Sequence, residues 1–470
     1  MQKILYKLAL CVLFSSSLPA FSEDAQGDWM GKIAGQLRLH VHVEKSSRGI
    51  WTVNLRSPDQ GNMKIDADQV EVTDQRLSFA ISGLHANFDS KWDEVSKTWK
   101  GQWHQGQDLP LSLSRMDAQA ASAATGLPKR PQEEKISKDT LPYRSEEVNF
   151  SSKSKQFQLA GTYSVPQGVG PFPAVILVHG SGPNTRNEEI FGHKIFLVLA
   201  DHLNRQGIAV LRYDKRGTGA SKGDYAKATS VDFSDDAHAA LAYLRNRTEV
   251  NQEKIGVIGH SEGGMIAPML ANHDEHLAFL VMLAGPGIRG DKLLPEQKRL
   301  VMKAGGASDK DIADTVKSDQ IIYTAIAHST SDVQAVRAVE TILQNLVKEK
   351  QISNAQADAL LRQVTSPWML YFLSYDPAPE LRKLQLAILV LNGEKDMQVP
   401  AKMNLNAIRD ALVNNNKATI KELPQLNHLF QTAETGSPSE YGSIEETFAP
   451  SALKIISDWI HQQTLSSGSH

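Results

Sequence analysis

Cysteine is almost missing from this chain: among 470 residues Cys11 stands alone. A single thiol closes no intrachain disulfide and builds no thiolate metal site, so neither can hold this fold together. Blocks of like charge are missing too. The 50 lysines and arginines are scattered among 53 acidic residues, for a formal net charge of −3, and this near balance argues against nucleic acid or an anionic membrane surface as a partner. The apolar stretch at the amino terminus, Leu8 to Phe14, is far short of the ~20 residues that span a bilayer. No membrane span is expected.

That terminus does have the layout of a secretory signal. Lys3 and Lys7 come without an acid, the apolar stretch follows, and small or turn-forming residues run to Ser22. Cleavage after Ser22, with Ala20 two residues before it, satisfies the small-x-small preference. Residues 1–22 are therefore expected to be removed, Cys11 with them, and the protein to be periplasmic or secreted.

At this length two or three units are expected. From Asp28 to Met116 the sequence alternates with period two between turn signals, as in Leu37-Arg38-Leu39-His40-Val41-His42-Val43-Glu44. This predicts an all-β sandwich or small barrel of roughly seven to eight strands over 28–116. His40, His42 and Glu44 share a strand face and are read as its solvated side rather than as metal ligands, because no further His or Cys nearby completes a set. Trp29, Trp51, Trp92, Trp99 and Trp103 are read as core rather than as a sugar-stacking platform. Residues 117–145, with an alanine-rich run, Pro128, Pro131 and Pro142, read as a linker.

Over 146–465 strands alternate with helices, the pattern of a mostly parallel sheet covered on both faces. Continuous apolar runs at Pro173 to Val178, Ile208 to Tyr213, Ile255 to Ile258, Phe279 to Ala284 and Leu386 to Leu391 suit strands buried on both sides. The stretch from Ile255 ends in Gly259-His260-Ser261-Glu262-Gly263 and turns into a helical pattern. A serine hydroxyl needs exposure and a base before it attacks anything, and a sharp strand-to-helix turn flanked by glycines gives that exposure. About a hundred residues separate Ala284 from Leu386. They carry Ser331-x-x-Gln334 and Ser353-x-x-Gln356 capping boxes and apolar helical stripes, so 289–376 is expected to form a helical cap over the carboxyl ends of the strands. Trp368, Tyr371 and Phe372, near its end, either line an apolar substrate pocket or fasten the cap to the sheet.

Five motifs in order make this module resemble an α/β-hydrolase: His179-Gly180-Ser181-Gly182-Pro183, Arg212-Tyr213-Asp214-Lys215-Arg216-Gly217-Thr218-Gly219-Ala220-Ser221, the Ser261 elbow, Gly393-Glu394-Lys395-Asp396 and Asn427-His428-Leu429-Phe430. It is most similar to secreted bacterial carboxylesterases and serine-aminopeptidase-like hydrolases with a small amino-terminal β-domain. The resemblance implies a Ser261, Asp396, His428 triad in the order this fold requires, with Glu394 as competitor to Asp396. It further implies an oxyanion hole from the backbone N–H groups of Ser181 and Glu262. Asp214 and Arg216 are expected to brace a loop beside the site, and His260 and Glu262 to shape the surroundings of the nucleophile.

The expected function is hydrolysis of a small-molecule carboxylic ester through an acyl-serine, with no metal or organic cofactor. Two alternatives stand. An exported aminopeptidase would need a cap carboxylate to hold a free amine, from among Glu296, Asp309, Asp311 and Asp314. A catalytically idle protein would bind a glycan or wall component through its β-module.

Overall fold

Every second residue of Leu39, Val41 and Val43 is buried while Arg38 and Glu44 are exposed, which is what period-two alternation produces when one sheet face meets a core. The computed structural model describes residues 25–33, 37–46, 49–58, 64–84, 86–105, 108–117, 120, 129–138 and 140–465. The expected signal segment, Cys11 included, lies outside the described residues. The chain folds as two units, one of residues 1–56 and 64–125 and the other mainly of residues 126–470.

In the first unit nine strands form one antiparallel sheet curled as a half-barrel. They are β1 (Gly27–Ile33), β2 (Leu37–Lys45), β3 (Trp51–Arg56), β4 (Ile65–Asp66), β5 (Gln69–Val72), β6 (Arg76–Ile81), β7 (Ala86–Asp93), β8 (Thr98–His104) and β9 (Asp108–Arg115). Their order is β4-β3-β2-β1-β9-β8-β7-β6-β5, so every pair joins strands consecutive in sequence except β1 with β9, and β4 and β5 form the two edges. Trp29, Trp92 and Trp99 pack edge to face with ring centroids 5.1 to 6.1 Å apart, and Trp29, Trp99 and Trp103 are buried with Phe79 and Phe88. One expectation needs correction. His40 is fully buried rather than solvated. Asp28 on β1, opposite His42 in the β1–β2 register, accepts through one carboxylate oxygen from His40 Nε2 at 2.9 Å and His42 Nδ1 at 2.8 Å.

The second unit begins earlier than the expected linker boundary. A helix, Pro131–Lys138, stands within it, and β10 (Tyr143–Ser151) starts before residue 145. Arg130 donates to the carbonyls of Gly442 and Ile444 at 2.8 and 2.9 Å. Glu133 accepts from Thr447 Oγ1 and the Lys194 N–H. Polar groups rather than an apolar stripe hold this helix, and Pro131 sits at its first position, where a proline costs no hydrogen bond. Both features make it look like a linker in sequence.

The sheet continues with β11 (Gln158–Pro166), β12 (Phe172–Val178), a hairpin of β13 (Glu189–Ile190) and β14 (His193–Lys194) outside it, β15 (Ala209–Tyr213), β16 (Val250–His260), β17 (Phe279–Leu283), β18 (Ala387–Gly393) and β19 (Ala418–Leu423). The order is β10-β11-β15-β12-β16-β17-β18-β19, with the β10–β11 and β11–β15 pairs antiparallel and the rest parallel. All of β15, β17 and β18 is buried, as apolar-throughout runs require of strands covered on both faces. Helices Ser230–Arg245, Glu262–Ala271 and Ala401–Ala411 share one core with the sheet, and Ile195–Arg205 and Pro450–Leu465 share another. From β12 the chain first steps to β15 on one side and then to β16 on the other. The crevice at such a switch point, outside the carboxyl ends of the strands, is where this architecture binds ligands.

Between β17 and β18 lie six helices, Gly290–Ala304, Asp309–Ala327, Asp332–Lys348, Asn354–Val364, Pro367–Ser374 and Ala378–Lys383, with a core that includes Ile322, Ile326, Val339 and Leu343. Ser353 makes a reciprocal capping box with Gln356. Ser331 caps the Gln334 N–H, but the Gln334 side chain turns to the Thr330 N–H instead.

Candidate active site

β16 ends at His260, and Ser261 takes φ of 53° and ψ of −118° before helix Glu262–Ala271 starts. A non-glycine residue in that conformation is strained, and the surroundings must hold it there. They do. The Ser261 N–H donates to the Leu283 carbonyl at 2.8 Å. A Cβ on Gly259 would lie 2.0 Å from the Gly263 oxygen, and one on Gly263 would lie 2.0 Å from the Val178 oxygen. Glycine is needed at both positions for space, so that the helix start can press against β12.

The structure brings Ser261, His428 and Asp396 together. His428 Nε2 is 3.1 Å from Ser261 Oγ, and His428 Nδ1 is 2.8 Å from Asp396 Oδ2. Asp396 is buried, and its Oδ1 accepts the N–H groups of Gln398 and Val399 at 2.8 Å each. Glu394 is exposed and turned away, its carboxylate capping the Gln425 N–H. The loop carrying His428 is shaped by Asn427, whose side-chain oxygen accepts the N–H groups of Leu429 and Gln431 at 3.0 Å each.

His260 and Glu262 belong to a second layer of polar groups around the nucleophile, and their partners in it were not legible in the sequence. His260 Nε2 lies 3.0 Å from the His428 carbonyl, and its Nδ1 lies 3.2 Å from Glu188 Oε1. The same Glu188 oxygen accepts the Gly180 N–H. Burial alone would lower the His260 imidazole, but the Glu188 carboxylate beside it prevails and holds it above its ordinary value. Burial likewise works to raise Glu188, and the charge on His260 keeps it below the ordinary carboxylate range. Nearby His179, buried between Phe196 and Tyr213, is pushed down to about 4 by desolvation.

Glu262, the residue after the nucleophile, has its side chain buried in the same layer. Its Oε1 accepts from Ser230 Oγ and Trp368 Nε1, each at 2.7 Å, and its Oε2 accepts from Lys215 Nζ at 3.1 Å. Lys215 also donates to the Gly180 carbonyl at 2.7 Å. Because the Gly180 N–H is taken by Glu188, Ser181 supplies the next N–H in that loop.

Of the three cap aromatics, Trp368 fastens the cap to Glu262 and stacks on Phe372 with centroids 4.9 Å apart. Phe372 packs with Met265, Leu293 and Val399 beside the elbow helix. Tyr371 stacks instead on Tyr375. Arg216 pairs with Asp232 and Asp236, and Asp214 receives three hydrogen bonds from Arg186, so both brace their loop. Three of the four cap carboxylates named as amine holders are occupied locally. Glu296 pairs with Arg299, Asp314 with Lys310, and Asp311 accepts from Ser308 Oγ, while Asp309 is exposed in the first turn of its helix.

Comparison with known proteins gives a consistent result. A family model described as serine aminopeptidase, S33, matches residues 171–434, a span that starts just before β12 and ends just after the His428 loop. Esterase EstD of Thermotoga maritima is 31% identical over 285 residues, covering 60% of this chain and 61% of that protein. The chain thus aligns with less than two thirds of that relative. Among solved structures, an esterase of Pyrococcus furiosus is 13% identical with a TM-score of 0.42, covering 68% of this chain and 91% of that one. A proline iminopeptidase of Mycobacterium smegmatis is 16% identical with a TM-score of 0.43, covering 68% and 100%.

Proposed function

The chain belongs to the serine aminopeptidase (S33) family of α/β-hydrolases, and from that premise we propose that it hydrolyses carboxylic esters through an acyl-serine intermediate. The observation that carries the reading is the hydrogen-bonded line from Ser261 Oγ through His428 to Asp396. In this mechanism His428 takes the Ser261 proton as the hydroxyl attacks the ester carbonyl, and Asp396 orients the imidazole and stabilises its charged form. The oxyanion is met by the N–H groups of Ser181 and Glu262, the latter at a helix amino terminus. Collapse expels the alcohol with the proton from His428, and a water activated by the same imidazole then releases the acid.

The family's description also favours an aminopeptidase, which must hold a free amine. Here the local pairing of Glu296, Asp311 and Asp314 and the exposure of Asp309 on its helix argue for an uncharged acyl group. Glu262 is no substitute, because all its described partners are donors within the protein and one of them is Lys215.

The test is turnover of an ester and a free-amine amide of one small apolar acyl group, by wild type and Ser261→Ala. Ester turnover that falls at least ~10³-fold in the variant is the expected outcome. Faster cleavage of the amide would move the assignment to peptidase. A folded wild-type protein inert to both would point to binding through the β-module.

A further inference from the structure

We infer that Lys215 is the positioning residue of the oxyanion hole, fixing both of its donors at once. The inference rests on the reading above, in which the Ser181 and Glu262 N–H groups receive the oxyanion.

Those two donors stand on different elements, one in the loop after β12 and the other at the start of the helix after β16. Nothing in the covalent chain sets the distance between them. Lys215 comes from a third segment, the loop after β15, and its side chain is only 3% exposed. Its Nζ donates at 2.7 Å to the Gly180 carbonyl. That carbonyl belongs to the same peptide group as the Ser181 N–H, and in a trans peptide the C=O and N–H point in opposite directions. A donor pulling on the oxygen therefore aims the N–H the other way, and it also polarises the amide so that the N–H donates more strongly. Asn184 Nδ2 adds a second donor to the same oxygen at 3.0 Å.

Lys215 Nζ also sits over the Phe233 ring at 4.2 Å and donates to the Glu262 carboxylate at 3.1 Å, on the residue that carries the second oxyanion donor. One nitrogen thus ties the peptide behind the first donor to the side chain behind the second. Position and charge have separate roles here. The Glu262 carboxylate balances the charge of the buried ammonium, whereas the hydrogen bonds to Gly180 and Glu262 set the geometry. A positioning error of about 1 Å at such a site is enough for about a 10²-fold loss of rate.

The experiment compares wild type, Lys215→Met and the double variant Lys215→Met/Glu262→Gln. The double variant removes both buried charges together and keeps the Glu262 backbone N–H. Ester kcat and KM are measured alongside affinity for a trifluoromethyl ketone of the same acyl group, which forms an anionic adduct on the serine. The matching methyl ketone reports ground-state binding. Both variants are expected to lose about 10²-fold in kcat with KM within threefold. Trifluoromethyl ketone affinity should fall in parallel, and methyl ketone affinity should hold. If Lys215→Met fails to fold, the double variant decides. Recovery of wild-type kcat in the double variant would reduce Lys215 to a counter-charge and overturn the inference, as would loss of kcat with trifluoromethyl ketone affinity intact. Ser261→Ala, run in the same series, separates the two levels. If it stays active, the acyl-serine reading fails; if it is dead while both Lys215 variants work normally, only the present inference fails.

Discussion

Replacing Asp396 by asparagine changes one atom in the site and should cost about four orders of magnitude in kcat. The two oxygens of Asp396 are not equivalent. Oδ1 accepts two backbone N–H groups, from Gln398 and Val399, while Oδ2 faces His428 Nδ1. An asparagine must keep its oxygen on the two backbone donors, because turning its NH₂ toward them would leave buried N–H groups unpaired at about 1–3 kcal/mol each. Its NH₂ therefore faces His428 Nδ1. The imidazole then has to accept at Nδ1 and carry its proton on Nε2, the nitrogen that must accept from Ser261 Oγ. The base has the wrong tautomer in an otherwise intact site. The template for this arrangement loses about 10⁴ in kcat from the same change, equivalent to about 5.5 kcal/mol in the barrier. Ester kcat and thermal unfolding should be measured together on Asp396→Asn and on Glu394→Gln. The first should be nearly inactive with stability close to wild type. The second should stay within twofold of wild type, since Glu394 caps an exposed turn. An Asp396→Asn protein retaining more than a tenth of wild-type kcat would refute the reasoning.

Gly263→Ala would drive a methyl group to 2.0 Å from the Val178 oxygen, and backbone on both sides leaves little to yield. A loss of at least ~2 kcal/mol in stability is expected, read as a lower unfolding temperature together with lost ester turnover; a variant that melts like wild type and keeps its rate would contradict the spatial argument. Acid should destabilise the second unit between pH 6.5 and about 4. Burial pushes His179 and His193 down to about 4, so over that window the unfolded chain takes up protons that the folded one refuses. Each site then removes up to ~3 kcal/mol as pH falls. His260, held above its ordinary value, changes nothing within this window, since its contribution is complete below the unfolded value and is lost only as pH rises through the folded one. His202 is lowered by burial as well, whereas Asp236, raised to about 6 by burial, takes up its proton in the folded state over the same window and works the other way; three imidazoles against one carboxylate leave a net fall toward acid. Chemical denaturation across this range checks it, and stability that is flat or rises on acidification would show that these imidazoles are not neutral in the folded state.

Where a feature of this fold is encoded by local spacing, the sequence displays it. The runs that became β12 and β17 are apolar throughout, and those of β15 and β18 apolar but for Arg212 and Asn392, because both faces are covered. The helices of the cap show their stripes and caps for the same reason. Helix Pro131–Lys138 is the counterexample. It is held by Arg130, Gln132 and Glu133 reaching the segment around residues 442–448, and a helix fixed by polar contacts to a distant segment has no apolar period to read. His40 failed for a related reason. Its alternation places it on the outer face correctly, but period two says nothing about what neighbours will cover that face, and Asp28 draws it into a buried pair.

The same division runs through the site. The triad and the elbow were legible because their motifs sit at strand ends in the order that the fold dictates. The polar layer beneath them was not, because it is made of single contacts between residues 47, 72 and 106 positions apart: Lys215 with Glu262, Glu188 with His260, and Glu262 with Trp368. No periodicity or spacing rule reaches so far. Glu262 shows the consequence most clearly. Its backbone N–H follows from the motif, since any residue at that position would supply it. Its side chain is what binds Lys215 below and the cap tryptophan above. A cap helix that shifts must pull on the residue proposed to supply an oxyanion donor. In this architecture the element expected to choose the substrate and the element expected to stabilise the transition state are thus mechanically one, and changes in cap contacts at Trp368 should alter kcat as well as KM.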